Sequence, residues 1–179
     1  MKRGGNPHVA YPRTVSGKAQ NLITFKILIM GLFSKKKKSV LSLIDFNVSD
    51  IDLSTYNFLG NETNSLGTEL KSFDKDIDSK INNIFDRIEL IEFPNGERNV
   101  FFLGKISETK PQDLKKIVNS LVSIYGKDFT NSGKIDTTEL NNIYRSGFWT
   151  GRTWDKVSPT VSIDGITDET IKLSILGIN

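Results

Sequence analysis

The apolar residues of one segment recur with the spacing of an amphipathic helix. Thr109 and Gln112 have capping-box spacing, and Pro111 falls in the first turn, where its missing N–H costs no hydrogen bond. Gly126 accepts the left-handed conformation that ends many helices. We therefore predict one long helix over residues 109–125. Its apolar stripe is Leu114, Ile117, Val118, Leu121, Ile124 and Tyr125.

A β-hairpin is the clearest strand signal. Two runs rich in β-branched and aromatic residues, 87–93 and 98–106, flank Asn95 and Gly96, which accept the positive φ values of a tight turn. These runs are predicted to pair antiparallel. Further strand-like runs lie at residues 148–154, 157–163 and 170–178.

Four other segments have weaker patterns. Partial alternation over residues 40–53 favours one or two short strands, and the Asn, Gly, Thr and Ser residues of 57–68 indicate a loop. Residues 137–144 favour a short helix. A second short helix is predicted over 74–85, from apolar residues spaced by four, four, three and four: Phe73, Ile77, Ile81, Ile84 and Ile88.

These elements predict an α+β fold. We expect an antiparallel sheet of about five strands with the helix at 109–125 packed on one face, because strands both precede and follow that helix. Regular alternation of strand and helix, which indicates a parallel sheet, is not seen. The chain has 179 residues, 37% of them hydrophobic and 25% charged, which suits a single α+β domain over residues 39–179.

Charge is distributed unevenly along the chain. Of the 24 Lys and Arg residues, nine lie in residues 1–38, which contain no Asp or Glu. The other 15 bases and all 21 acids give residues 39–179 a net charge of −6. A domain of that charge repels a polyanion, so the overall basic charge does not indicate nucleic-acid binding.

Residues 1–38 are interpreted as a disordered basic leader, with Met30 as a candidate initiator. The apolar run at 23–33 contains Lys26, is shorter than the ~20 residues that span a bilayer, and precedes no cleavage site. We therefore predict no transmembrane segment and a cytoplasmic location. The run from Lys35 to Lys38 is either a solvated tail or a weak contact for anionic membranes.

The composition excludes many catalytic mechanisms. The chain has no cysteine, and its single histidine, His8, lies outside the patterned segments. Thiolate and Ser-His chemistry are therefore absent from residues 39–179, as are most transition-metal sites. No Walker A, GxSxG or GxGxxG motif occurs. We predict that the protein is not an enzyme.

An aromatic and basic cluster is the candidate contact surface. Arg145, Trp149, Arg152 and Trp154 lie close together in sequence, with Phe148 beside them. Trp and Arg are enriched at the hot spots of protein interfaces. The cluster predicts a non-catalytic module that binds another protein. The alternative is a structural role, because a regular strand places Trp149 and Trp154 on opposite faces and one of them in the core.

Residues 128–139 suggest a second kind of site. Asp128, Thr130, Ser132, Asp136 and Glu139 take positions one, three, five, nine and twelve of a loop that resembles the EF-hand calcium loop. That resemblance implies Ca²⁺ as a cofactor and a calcium-binding or hydrolytic module as the alternative function. The other interpretation is an ordinary loop in which Asp136 caps the next helix. No other cofactor is predicted.

Overall fold

The structure is a computed structural model that describes residues 39–47, 50–166 and 169–179. The predicted leader, with Met30 and the four lysines, lies outside the described residues. Residues from Lys38 to Asn179 form one compact unit. Seven antiparallel strands make a single sheet in the order β1-β2-β3-β4-β7-β6-β5. The strands are β1 Asn57–Thr63, β2 Glu69–Ile81, β3 Phe85–Glu92, β4 Arg98–Lys105, β5 Trp149–Trp154, β6 Thr160–Ile166 and β7 Thr170–Ile178.

The helices are short and fewer than the strands. They are α1 Val40–Leu43, α2 Pro111–Tyr125 and α3 Thr137–Ser146, with 3₁₀ turns at Leu53–Thr55 and Ile106–Glu108. The predicted fold class, five strands with one long helix, is therefore wrong. The chain folds mostly as sheet, and α+β describes it only in part.

Two of the seven strands, β1 and β2, lie where a loop and a helix were predicted. Residues 57–68 contain β1, and residues 74–85 contain most of β2. A spacing of four residues fits one face of a helix, but it also fits one face of a strand, because four is a multiple of two. Phe73, Ile77 and Ile81 all pack against the core from β2, with a register shift between Asp76 and Ile81. The turn into β3 uses Asn82 and Asn83, which have φ of 53° and 60°.

The segment from residue 39 to residue 47, where short strands were predicted, forms a helical turn instead. Ser39 caps α1: its hydroxyl accepts from the Ser42 N–H at 3.3 Å, and the Ser42 hydroxyl accepts from the Ser39 N–H at 3.0 Å. Val40 and Ile44 are buried, and Phe46 packs edge-on against Phe102 with ring centroids 5.1 Å apart. The apolar residues predicted to line short strands therefore enter the core from a helical turn.

The helix predicted at 109–125 is observed as α2, but its first turn differs. Lys110 is the N-cap and makes no side-chain capping bond. The Thr109 hydroxyl donates instead to the Lys105 carbonyl at 2.7 Å, so the predicted capping box does not form. Gly126 ends the helix, as predicted, but its φ of 84° and ψ of −158° are not the left-handed conformation expected there. The buried residues of α2 are Leu114, Ile117, Val118 and Leu121.

Several other predictions are confirmed. The hairpin is β3 and β4, and Gly96 in its turn has φ of 84°. β5, β7 and α3 lie where strands and a helix were predicted, while β6 begins later than expected.

The core lies between one face of the sheet and the helices. Side chains from all three helices join the same buried cluster as the strands. The central row of that face runs across four paired strands: Ile88, Phe102, Leu173 and Ile163. On the other face, Arg87 pairs with Asp74 at 2.6 Å, and the Lys172 ammonium lies over the Phe101 ring. The helices therefore lie on one face only, and α3 lies at the β5 end.

The close approach of β4 to the β2–β3 turn requires a glycine. A Cβ at Gly104 would collide with the carbonyl oxygen of Ile84, which is backbone and cannot move aside freely. We predict that Gly104→Ala lowers the free energy of unfolding by about 1–3 kcal/mol. Urea unfolding measures this effect. Gly133→Ala is the control, because a Cβ there has no neighbour within 4 Å. Equal midpoints for the two variants would contradict the prediction.

Candidate functional site

The predicted site residues meet at one end of the sheet, where α3 lies beside the edge strand β5. Asp136 caps α3, since its carboxylate accepts from the Glu139 N–H at 2.8 Å. Gly147 then ends α3 in the left-handed conformation, and the chain turns at once into β5. The Tyr144 hydroxyl donates to the Thr109 carbonyl at 2.8 Å, and burial raises the pKa of this phenol to about 12. Tyr144 thus ties α3 to the start of α2.

Arg152 and Glu139 form the centre of the site. One guanidinium nitrogen of Arg152, Nη2, donates to both carboxylate oxygens of Glu139 at 2.7 Å. The indole Nε1 of Trp149 donates to the same carboxylate at 3.0 Å, and the guanidinium carbon lies 5.7 Å from the Trp149 ring centroid. The Arg152 side chain is only 7% exposed. This ion pair is therefore an internal contact that joins β5 to α3.

The remaining donors of Arg152 reach its own strand and the 128–135 loop. Nη1 donates to the Gly151 carbonyl at 3.0 Å and Nε to the Gly133 carbonyl at 3.4 Å. Nε also lies 4.0 Å from a carboxylate oxygen of Asp128, whose side chain is buried. The guanidinium thus lies between the two acids at the ends of the predicted calcium loop, Asp128 and Glu139.

The other predicted calcium ligands bond to one another. The Asp128 carboxylate accepts from the Thr130 hydroxyl at 2.9 Å and from the Ser132 N–H at 2.6 Å. Asp136 is engaged as the cap of α3. Across the ranges that the structure describes, no group of three or more His, Cys, Asp or Glu side chains is placed to hold a metal. The Arg152 guanidinium supplies positive charge between the two acids, where the resemblance placed Ca²⁺.

Three of the four predicted contact residues are buried. Trp149, Arg152 and Trp154 all belong to the interior, and the Trp154 Nε1 donates to the Gly126 carbonyl at 3.0 Å. Arg145 is exposed and donates to the Asn142 amide oxygen at 2.9 Å. Arg145 is therefore the one predicted contact residue that the structure leaves exposed.

A β-bulge explains why both tryptophans are internal. The register shifts between Trp149 and Arg152, so that Trp149, Arg152 and Trp154 face Gly165, Ile163 and Val161 on β6 and share one face. Gly151 is the residue that allows the bulge. Its φ is 78°, and a Cβ there would meet the Asp164 Cβ at 2.6 Å. The position of Gly151 between the aromatic residues of the strand is the feature of the sequence that could have indicated this bulge.

A groove lies between α3 and β5, outside this buried cluster. It has a volume of about 440 Å³, and Phe148 stands at its rim with 55% of its surface exposed. Phe148 neighbours Trp149 in the sequence and was named beside the predicted cluster, whereas Asn142 is brought beside Trp149 only by the fold. We call this the α3–β5 groove. Its lining residues are Asp136, Thr138, Glu139, Asn142, Ile143, Phe148, Trp149 and Thr150.

Comparison with known proteins gives no match to a protein-family model, a curated protein or a solved structure. The function is therefore argued from the site itself. In the part of the chain that the structure describes, the helices are too short or too polar to cross a membrane.

The ion pair is predicted to stabilise the fold. Arg152→Ala leaves Asp128 and Glu139 without their shared cation, and breaking a buried pair from one side costs about 3–5 kcal/mol. Because Glu139 is partly exposed, we expect a loss near about 3 kcal/mol in urea unfolding. Arg145→Ala is the matched control, an exposed arginine on α3, with an expected change of about 0.5 kcal/mol or less. If Arg152→Ala unfolds at the same urea concentration as the control, the ion pair does not contribute to the stability of the fold.

Calcium is predicted not to stabilise the protein, because an ion would have to displace the Arg152 guanidinium from Glu139. A bound ligand at 100 times its Kd would add about 2.7 kcal/mol to the free energy of unfolding. Thermal melting in millimolar Ca²⁺ measures this, with Mg²⁺ at the same concentration as the control. A rise in Tm specific to Ca²⁺ would favour the alternative calcium-binding function.

Proposed function

We propose that this chain is a non-catalytic protein-binding module that holds a segment of a partner protein in the α3–β5 groove. The observation that carries the proposal is the exposed Phe148 ring beside a shallow, open groove lined by Trp149 and Glu139. Aromatic residues are enriched at protein interfaces.

The groove floor is preorganised. Glu139 accepts from both Trp149 and Arg152, so its carboxylate cannot rotate without breaking these bonds. A side chain that is fixed before binding loses little entropy on binding, which favours affinity. In this proposal Trp149 and Arg152 support the contact surface from below, and Trp154 secures the end of β5 to the C-terminus of α2.

Phe148 is the main contact residue in the proposal. Its N–H donates to the Ser146 hydroxyl, and its carbonyl accepts from that hydroxyl, both at 3.2 Å, so its backbone is held at the groove rim. Burial of an exposed phenylalanine contributes about 1.5–3 kcal/mol. An apolar side chain of the partner placed against Phe148 would recover this free energy.

Charge favours a basic partner segment. The charged residues that line the groove are Asp136 and Glu139. Glu139 is already paired with Arg152, so Asp136 is the acid of the groove that can attract a basic segment. Residues 39–179 carry a net charge of −6, which attracts the same kind of partner at longer range. The proposed partner segment therefore has an apolar residue next to Lys or Arg. A cytoplasmic setting is part of this proposal, and the net charge argues against nucleic acid as the partner.

Selection from a phage-displayed random peptide library tests the proposal and does not require the partner to be identified first. The full chain is expected to enrich peptides with an apolar residue beside a basic one. Synthetic copies of these peptides are then measured by fluorescence anisotropy. Phe148→Ala is expected to weaken binding about tenfold or more, or about 1.4 kcal/mol.

Phe129→Ala is the matched control, because Phe129 is also exposed but lies outside the groove. It is expected to bind the selected peptides as the parent does. The proposal fails if no peptide is enriched, or if Phe148→Ala and Phe129→Ala bind with the affinity of the parent.

A further inference from the structure

The outer edge of β1 is open. β1 is the terminal strand on the side of the sheet opposite β5. A terminal strand presents N–H and C=O groups that another strand can pair with. Among the described residues, β1 forms its backbone ladder with β2, and no other backbone or side-chain group bonds to the backbone of Asn57–Thr63.

The opposite edge of the sheet is partly engaged within the chain. The Thr153 carbonyl accepts from the Phe129 N–H at 2.9 Å, and the Gly151 carbonyl accepts from Arg152 at 3.0 Å. Both edge strands contain a bulge, so these carbonyl contacts are what distinguish β5 from β1. β5 therefore has fewer free backbone groups than β1 for pairing with another copy. Pairing of β1 with β1 of a second copy is two-fold.

Exposed apolar residues concentrate at the open edge. Phe58 is 58% exposed and Leu59 is 55% exposed, and Leu66, in the turn that follows β1, is 87% exposed. Leu59 is the extra residue of a bulge and has no partner on β2. The described part of the chain has five exposed large hydrophobic residues, and these are three of them. Phe58 and Leu59 are adjacent on β1, so their exposed apolar surface lies directly along the edge.

The charge of β1 fits a second copy of the same strand. Glu62 is its single charged residue, and β1 has no Lys or Pro, the residues that commonly block edges. An antiparallel pair centred near Leu59 places the two Glu62 residues six positions apart, or about 20 Å. This exceeds the ~8 Å Debye length, so the repulsion is screened. The same pairing brings Phe58 and Leu59 of both copies together.

We infer that the protein forms a two-fold dimer by antiparallel pairing of β1 with β1 of a second copy, centred near Leu59. The inference is independent of the proposed groove function, since the two surfaces lie at opposite edges of the sheet. Main-chain hydrogen bonds give affinity in such strand addition, and the apolar side chains give its register.

Sedimentation velocity of the full chain over a concentration series tests the dimer. The mass is expected to approach twice the 20.1 kDa of the chain at high concentration and to fall on dilution. Leu59→Lys places two like charges near the two-fold axis, so this variant is expected to stay monomeric. Phe129→Lys, at an exposed site away from β1, is the control and is expected to associate as the parent does. Circular dichroism checks that each variant folds.

A charge-swap experiment tests the two-fold geometry. Leu59→Glu alone is expected to be monomeric, and an equimolar mixture of Leu59→Lys and Leu59→Glu is expected to restore the dimer, because opposite charges then meet near the axis. A parent that stays monomeric throughout would overturn the inference. So would a dimer that Leu59→Lys leaves intact, or a mixture of folded variants that stays monomeric.

Discussion

Among the described residues, the guanidinium of Arg152 is the positive charge that Asp128 and Glu139 share inside the protein. It bonds to Glu139 on α3 and lies within 4.0 Å of Asp128 in the preceding loop. Two carboxylates brought into a partly buried space repel each other unless a cation lies between them. The position of α3 against β5, and with it the α3–β5 groove, therefore depends on the Arg152 side chain.

Local sequence signals predicted much of the fold. The β3–β4 hairpin follows from Asn95 and Gly96, and α2 follows from apolar residues at intervals of three and four, because both patterns act within a few residues. β2 was missed for a physical reason: a spacing of four places residues on one face of a strand as well as of a helix. β1, rich in Asn and Gly, forms a strand because β2 pairs with it.

The candidate site was found in part. The sequence brought Trp149, Arg152 and Glu139 into consideration but assigned them to two different sites, because their contact joins residues on separate elements. The regular-strand assumption then placed the two tryptophans on opposite faces. Gly151 was the available signal against that assumption, since a glycine with positive φ shifts the register by one residue. Phe148 was named beside the cluster from the sequence, but its exposure beside the groove follows from the fold.

The strand order has a consequence for ligand geometry. Because β1 and β5 are the two ends of one sheet, a dimer joined through β1 would carry its grooves at the far ends of a continuous sheet. At about 4.8 Å between strands, the two grooves would stand on the order of 60 Å apart. A bivalent ligand would then need a linker long enough to bridge that gap, and shorter ligands would bind one groove at a time without any gain in avidity.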